Sequence, residues 1–179
     1  ESIKDLIDMY NRELLVHDQE LPDHLIQECV QNISDNFKTS KERANDGEFT
    51  IRMSNLGRPL CQNQYEQKGE IKHPRRESTL SSIFATGSML EHYLVMLIKG
   101  AGVPVEALDI PCSLDIYDRT IKGSADIIID GVVYDIKSSS KYAFQNKWSK
   151  GFGAVYEDDP FGYVTQGYCY AKALGVPFG

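Results

Sequence analysis

The sequence predicts an α+β fold, with a small, largely antiparallel β-sheet flanked by helices. A run of β-branched residues on each side of the dipeptide Asp130-Gly131 is typical of a β-hairpin. Apolar residues recur at helical spacing in residues 3–37 and again in residues 79–99. A chain of 179 residues, 41% of them apolar, is long enough for one globular domain with a sizeable core.

The predicted sheet is an antiparallel meander. Residues 108–118 form a strand that leads through a short turn into the hairpin. Asp-Gly favours a two-residue type I′ turn, which pairs Ile129 with Val132. The same register places Asp126 opposite Asp135 on the neighbouring strand. The turn therefore brings two carboxylates together.

The charged residues of the hairpin lie on one predicted face. Successive side chains of a strand point to opposite faces, so Asp126, Asp135 and Lys137 share a side. The apolar face contains Ala125, Ile127, Ile129, Val132, Tyr134 and Ile136. Opposed carboxylates have Cβ atoms about 4.5–5.5 Å apart, and at an effective dielectric of about 20 they repel by about 3 kcal/mol. A divalent cation between them relieves that repulsion, which predicts a metal site; an exposed hairpin with ordinary acids is the alternative.

A third acid lies on a long predicted helix over residues 79–99, with Ser78 as its N-cap and Gly100 after its end. One face of this helix contains Phe84, Gly87, Glu91, Leu94 and Ile98. A carboxylate among apolar neighbours is costly unless it is paired or binds a metal. Glu91 is therefore a candidate ligand, unless it lies at the edge of the apolar face and reaches solvent.

The last predicted helix begins at Asp159-Pro160, with the acid as N-cap and the proline at the first helical position. Gly175 follows its end. Within it, Gln166 and Tyr170 are four residues apart and so share a face.

Taken together, these motifs resemble a known nuclease superfamily. Gly-x-x-Asp at 123–126 and Asp-x-Lys at 135–137 resemble the core of the PD-(D/E)XK superfamily, with Ala125 where the motif name has Pro. Gly-x-x-x-Glu at 87–91 and Gln-x-x-x-Tyr at 166–170 are similar to elements of its RecB-type branch, which includes CRISPR-associated and phage exonucleases. The resemblance covers about residues 79–175 and implies a restriction-endonuclease-like core with an α/β/α-like arrangement.

The resemblance implies a metal-dependent DNA nuclease, an exonuclease of DNA recombination, repair or degradation. One or two Mg²⁺ or Mn²⁺ ions would be the cofactor. The implied ligands are the carboxylates of Glu91, Asp126 and Asp135 and the backbone carbonyl of Ile136. Lys137 would orient or deprotonate the attacking water, and Gln166 and Tyr170 would steady Lys137 or the DNA backbone. The alternatives are an endonuclease of this fold, a non-catalytic module that binds nucleic acid or a protein, and an unrelated α+β enzyme acting on a small phosphorylated substrate.

The net charge of −7 is unevenly distributed. Residues 1–48 contain 5 basic and 12 acidic side chains, whereas residues 49–179 contain 14 of each. This asymmetry predicts an acidic helical segment over 1–48, acting as a cover or a surface for a protein partner, and a nuclease core over 49–179. The remainder can then present local basic patches to phosphate.

Four residues are candidates for DNA contact. Residues 51–61 loosely resemble an upstream Ser-to-Cys element of RecB-type nucleases, and Arg52 and Ser54 could hold the DNA backbone there. Lys141 and Lys147 lie in a stretch after the site that contains no acid. For Arg52 and Ser54, the alternative is a plain connector between elements. For Lys141 and Lys147, it is a solvated loop. Further basic residues cluster between Arg52 and Arg76.

Cysteine usage and hydropathy limit the class of protein. The four cysteines are widely spaced, without a Cys-x-x-Cys pair, which favours reduced thiols in an intracellular, cytoplasmic setting. Some relatives in the nuclease family hold an iron–sulfur cluster through a late group of closely spaced cysteines. This sequence has no such group of cysteines, so no iron–sulfur cluster is predicted. We expect no membrane association, because no apolar run is long enough to span a bilayer.

Overall fold

A computed structural model of the protein describes residues 3–16, 20–44, 49–69 and 77–179. Its α-helices are α1 (Ile3–Val16), α2 (Asp23–Ala44), α3 (Met53–Leu56), α4 (Leu60–Gln67), α5 (Glu77–Gly100), α6 (Lys141–Asn146), α7 (Phe152–Glu157) and α8 (Tyr163–Leu174). The strands are β1 (Val105–Ile116), β2 (Arg119–Ile129) and β3 (Val132–Tyr134), and a 3₁₀ turn spans Trp148–Lys150. The predicted α+β class is confirmed.

The described elements form two compact units. The helical unit contains α1, α2 and α5, and the sheet unit contains the other elements. The predicted division placed residues 79–99 with the nuclease core, but α5 groups with the N-terminal helices. In the helical unit, Leu25 and Cys29 of α2 pack against Met96 of α5, and Lys99 forms an ion pair with Glu28.

The N-terminal segment is helical, as predicted, and forms two helices, of which α2 continues to Ala44, well beyond the apolar pattern. Val30 and Phe37, which helical spacing placed on the apolar face, are 61% and 45% exposed. No helix of the described ranges is long and apolar enough to cross a bilayer.

Helix α5 has its buried face in a different place from the prediction. It begins at Glu77, so Ser78 lies inside the helix and is not its N-cap. Phe84 is 70% exposed, which corrects its predicted burial. Over residues 82–100, where side chains of α5 are described, the buried ones are His92, Val95, Met96, Leu97 and Ile98. Of the predicted face, Ile98 is thus buried as expected. Burial is concentrated in the last third because that part packs on α2 through Met96 and approaches Tyr10 of α1 at Gly100.

The sheet has the strand order β1-β2-β3 and is antiparallel, as predicted. The hairpin pairs Ile129 with Val132 in the register of a two-residue turn. Asp130 and Gly131 have φ angles of 50° and 71°, and positive φ at both central residues defines a type I′ turn. The predicted turn is confirmed.

The apolar face of the hairpin is only partly as predicted. Ala125, Ile127 and Ile129 are buried, in agreement with the alternation. On β3, however, Val133 is fully buried although it points away from that face. Its side chain packs in the core cluster that contains Cys169 and Tyr170 of α8. At the edge of the strand, the Val133 N–H donates to the Pro177 carbonyl, and the Val133 carbonyl accepts from the Gly179 N–H. A further extended segment therefore covers the outer side of β3.

Helix α8 packs against β2 where a glycine leaves room. A Cβ at Gly123 would lie 2.8 Å from Met53 Sδ and 2.8 Å from Tyr170 Cε1. The glycine of the Gly-x-x-Asp motif therefore allows α3 and α8 to approach the strand. The core of the sheet unit contains Met53, Ile121, Ala125, Val133, Cys169 and Tyr170.

The start of α8 lies three residues later than predicted. Gly162, with a left-handed backbone, is its N-cap, so Pro160 precedes the helix. The Asp159 carboxylate nevertheless accepts hydrogen bonds from the N–H groups of Tyr163 and Val164, at 3.0 and 2.8 Å. The predicted end at Gly175, also left-handed, is confirmed.

The type I′ turn makes a testable contribution to stability. In Gly131→Ala, a Cβ enters a left-handed backbone with no atom within 4 Å, so the cost is backbone strain of about 1–2 kcal/mol. Urea denaturation should show that loss in the free energy of unfolding. The control is Gly153→Ala, which also meets no atom within 4 Å but has no left-handed φ. Equal stability of the two variants would contradict the turn assignment.

Candidate active site

The Asp126 carboxylate binds the backbone of the segment that follows β3. Because β3 ends at Tyr134, Asp126 and Asp135 are not a ladder pair, which corrects the predicted pairing. Instead, Asp126 Oδ2 accepts a hydrogen bond of 2.6 Å from the Ile136 N–H. A carboxylate is a strong acceptor for a backbone N–H. The bond places the Asp126 carboxylate within one peptide unit of Asp135.

Asp135 and Lys137 form an ion pair at the end of the hairpin. Lys137 Nζ lies 2.7 Å from Asp135 Oδ2, so the two side chains point to the same side as predicted. The Asp135 side chain is only 5% exposed. Its other oxygen, Oδ1, is buried and has no hydrogen-bond partner among the described residues. A buried, unpaired carboxylate oxygen is costly, so Asp135 Oδ1 could serve as a ligand for a cation.

Gln166 and Tyr170 meet as their spacing predicts. Both are buried, and Gln166 Nε2 donates a hydrogen bond of 2.6 Å to Tyr170 Oη. Burial raises the pKa of the Tyr170 hydroxyl, and the nearby carboxylates of Asp135 and Asp126 raise it further, against the opposing effect of the Gln166 hydrogen bond. The hydroxyl therefore keeps its proton and lies near both acids.

A cavity of about 450 Å³ adjoins the ion pair. Asp135 and Lys137 line part of it. Lys137 Nζ also lies 5.6 Å from the centre of the Tyr163 ring, within cation–π range. Burial raises the pKa of the Tyr163 hydroxyl, and the Lys137 cation opposes that rise. The remaining lining residues are Trp148, Gly151, Phe152, Val155, Val164, Tyr168, Phe178 and Gly179.

Glu91 lies in α5 of the helical unit and is half-buried. Its role as a metal ligand stays a prediction. The part of the chain that the structure describes contains no group of three or more His, Cys, Asp or Glu side chains arranged to hold a metal ion. The other ligands that the resemblance implies, the carboxylates of Asp126 and Asp135 and the Ile136 carbonyl, all lie in the sheet unit.

The upstream pair of predicted DNA-binding residues lies beside β2. Arg52 is exposed and forms an isolated parallel bridge with Lys122. Its N–H donates a 2.9 Å hydrogen bond to Asn55 Oδ1, at the start of α3. Ser54 is exposed in α3. Both side chains are accessible, and their contact with DNA stays a prediction.

The downstream pair follows the ion pair in sequence. Lys141 is exposed and is the first residue of α6, which Ser140 caps by accepting from the Ala143 N–H. Lys147 is half-buried and lies 3.6 Å from Asp158 Oδ2. Only the Asp158 side of this ion pair is exposed, and the contact of Lys147 with DNA stays a prediction.

Arg58 is a candidate for phosphate contact that the sequence motifs did not identify. It is half-buried, with Nη1 3.6 Å from Glu66 Oε1, and its Nε is buried without a hydrogen-bond partner in the described ranges. Its charge is close enough to Tyr163 to lower the pKa of that hydroxyl. The only sequence signal was the basic cluster between Arg52 and Arg76, of which residues 70–76 lie outside the described residues.

The comparisons with known proteins add no support to the resemblance, which rests on the sequence motifs. No protein-family model, no curated protein and no solved structure gave a significant match to this chain.

The Gln166–Tyr170 contact can be tested by its effect on stability. Tyr170→Phe removes the acceptor and leaves the buried Gln166 amide unpaired, at a cost of about 1–3 kcal/mol. Thermal or urea denaturation should show this loss. Tyr168→Phe is the matched control, since Tyr168 lies on the same helix and is 57% exposed. A Tyr170→Phe variant as stable as the control would show that the two side chains do not form this buried bond.

Proposed function

We propose that this protein is a metal-dependent deoxyribonuclease of the PD-(D/E)XK superfamily, with a restriction-endonuclease-like core, that degrades DNA from its ends. The observation that carries the proposal is the buried Asp135, whose Oδ2 pairs with Lys137 and whose Oδ1 is left without a partner in the described part of the chain. The Asp-x-Lys spacing thus coincides with an acid that has one oxygen open for a cation.

The local chemistry fits a hard divalent cation. Mg²⁺ and Mn²⁺ prefer oxygen ligands, and Asp126, Asp135 and the Ile136 carbonyl are all oxygen donors within a short stretch of the hairpin. Glu91 is proposed as a further ligand on the strength of the resemblance. The bound metal would supply Lewis acidity and an activated water for phosphodiester hydrolysis.

The chain's own residues have separate tasks in this proposal. Asp126 fixes the peptide unit between Asp135 and Ile136 through its bond to the Ile136 N–H. The Lys137 ammonium is held by Asp135, where it can orient water and offset the negative charge that develops on phosphate. The buried Gln166 amide orients the Tyr170 hydroxyl, which stays protonated near both acids.

Substrate contacts are proposed for four residues. Arg52 and Ser54 precede the site in sequence and Lys141 and Lys147 follow it, and all four are proposed to contact DNA phosphates. A protein partner at the acidic N-terminal helices is also proposed. It is supported by the exposed apolar side chains of α2, which are Ile26, Val30 and Phe37.

Cleavage of end-labelled linear DNA and of circular DNA tests the proposed activity. With Mg²⁺ or Mn²⁺, the protein should shorten linear DNA and spare circles, and EDTA should abolish the reaction. Lys137→Ala should lower the rate by about 10²–10³-fold, as expected for the loss of one group that stabilises developing negative charge, and Asp126→Asn should also be strongly impaired.

The control for that assay is Asp118→Asn, an exposed acid in the turn between β1 and β2, which should cleave normally. Cutting of circles would favour the endonuclease of the same fold. An Asp126→Asn or Lys137→Ala variant with wild-type activity would contradict the assigned site. DNA binding without cleavage would favour the non-catalytic module.

Metal binding can be measured apart from activity. At a free Mn²⁺ concentration of 100 times Kd, binding to the folded state adds about 2.7 kcal/mol, which corresponds to a rise in Tm of about 5–10 °C for a chain of this size. Asp135→Asn should lose most of that rise and Asp118→Asn should keep it. An equal rise in both variants would place the metal elsewhere.

A further inference from the structure

The cavity beside Asp135 and Lys137 has a lining that the proposed hydrolysis does not require. Hydrolysis needs oxygen ligands, a cation and water, whereas aromatic residues are the largest group in this lining. Five aromatic residues take part, Trp148, Phe152, Tyr163, Tyr168 and Phe178. Its volume of about 450 Å³ is in the range of pockets that enclose a small organic ligand.

The aromatic rings are arranged as pairs. The ring centres of Trp148 and Tyr163 lie 5.7 Å apart, and those of Tyr168 and Phe178 lie 5.9 Å apart. Phe152 is 57% exposed although it lines the cavity. Phe152 and Tyr163 are already stacked on Tyr156 and Phe161. The Trp148–Tyr163 and Tyr168–Phe178 pairs are inclined at 38° and 60° and so do not stack face to face. Trp148 and Tyr168 are therefore the rings on which a flat, π-bearing ligand can stack.

The charges around the cavity select among flat ligands. Lys137 lines it together with its ion-pair partner Asp135. Outside the lining, the stretch 138–150 adds three lysines and no acid, so the surroundings are positively charged on balance. A ligand that combines a π-face with negative charge satisfies both features, and a nucleotide has that combination. A base inside a duplex has its faces covered by its neighbours, whereas an unpaired base can stack on protein aromatics.

We infer that this cavity binds one unpaired nucleobase of a single-stranded DNA end and thereby places the adjoining phosphate beside Asp135 and Lys137. The inference rests on the proposed nuclease function for the identity of its ligand. It names the substrate class as single-stranded or frayed ends, with little preference for base identity, because every base has a face that can stack.

The test uses a short single-stranded oligonucleotide with 2-aminopurine at one end, whose fluorescence falls when the base stacks. Binding is measured in EDTA with the Asp126→Asn protein, so that cleavage does not interfere. We expect quenching, and affinity about tenfold weaker in Trp148→Ala, as for the loss of one stacking contact. Trp148→Phe, which keeps an aromatic face, should restore most of the affinity.

Tyr142→Ala is the matched control, because Tyr142 lies in the same basic stretch, is 77% exposed and does not line the cavity. It should bind normally, and a blunt duplex should bind more weakly than the single strand. Should Trp148→Ala lose its folded circular dichroism spectrum, the exposed cavity residue Tyr168 is replaced by alanine instead, with the same expected loss. Equal affinity of the cavity variant and the parent protein, an equal loss in Tyr142→Ala, or equal binding of blunt duplex would each overturn the inference.

A failure of the base-site inference can be distinguished from a failure of the nuclease proposal. Metal-dependent cleavage that is insensitive to Trp148→Ala would overturn the base site and leave the nuclease intact. Binding that depends on Trp148, in a protein that cleaves no DNA under any metal condition, would support the base site and contradict the nuclease.

Discussion

The left-handed turn at Asp130-Gly131 is the constraint on which the rest of the site depends. Positive φ angles at both residues fix a two-residue loop, and a two-residue loop leaves only one register for β2 against β3. In that register, Asp126 Oδ2 reaches the Ile136 N–H, and Asp135 and Lys137 end on the same side. A shift of one residue would send both side chains to the opposite face. A local backbone preference therefore determines where the charged groups meet.

Two glycines let α8 approach this hairpin and its covering segment. Gly123 admits Tyr170 and Met53 against β2, and a Cβ at Gly167 would lie 2.1 Å from Phe178 Cζ. Tyr170 packs against Gly123 and Phe178 packs against Gly167, in each case where a glycine has no side chain. Helix α8 can therefore place Gln166 and Tyr170 near the acids, while the C-terminal residues cover β3. The same arrangement leaves an aromatic cavity next to the ion pair. The packing of α8 and the C-terminal residues on the hairpin thus forms both the surroundings of Asp126, Asp135 and Lys137 and the cavity beside them.

Local sequence signals predicted the parts of the fold that local physics determines. The Asp-Gly turn, the meander, the Gln166–Tyr170 contact and the glycine after α8 all depend on residues a few positions apart. The burial of Val133 was not predictable in this way, because it depends on packing with Cys169 and Tyr170, more than thirty residues later. The exposure of Phe84 likewise follows from which part of α5 packs on α1 and α2. The cavity was missed for the same reason, since its lining comes from residues 135–179 through tertiary contacts, and the position of Arg58 near Tyr163 has no sequence motif.

The most direct measurement of the central claim is the anomalous scattering of Mn²⁺ in crystals of the protein. If the hairpin forms a metal site, the anomalous peak should lie within about 2.0–2.6 Å of carboxylate oxygens, the range for hard divalent cations, with Asp135 Oδ1 and the Asp126 carboxylate among them. A peak that contacts neither acid, or an Asp135 Oδ1 that is hydrogen-bonded to protein while no metal binds beside it, would contradict the account.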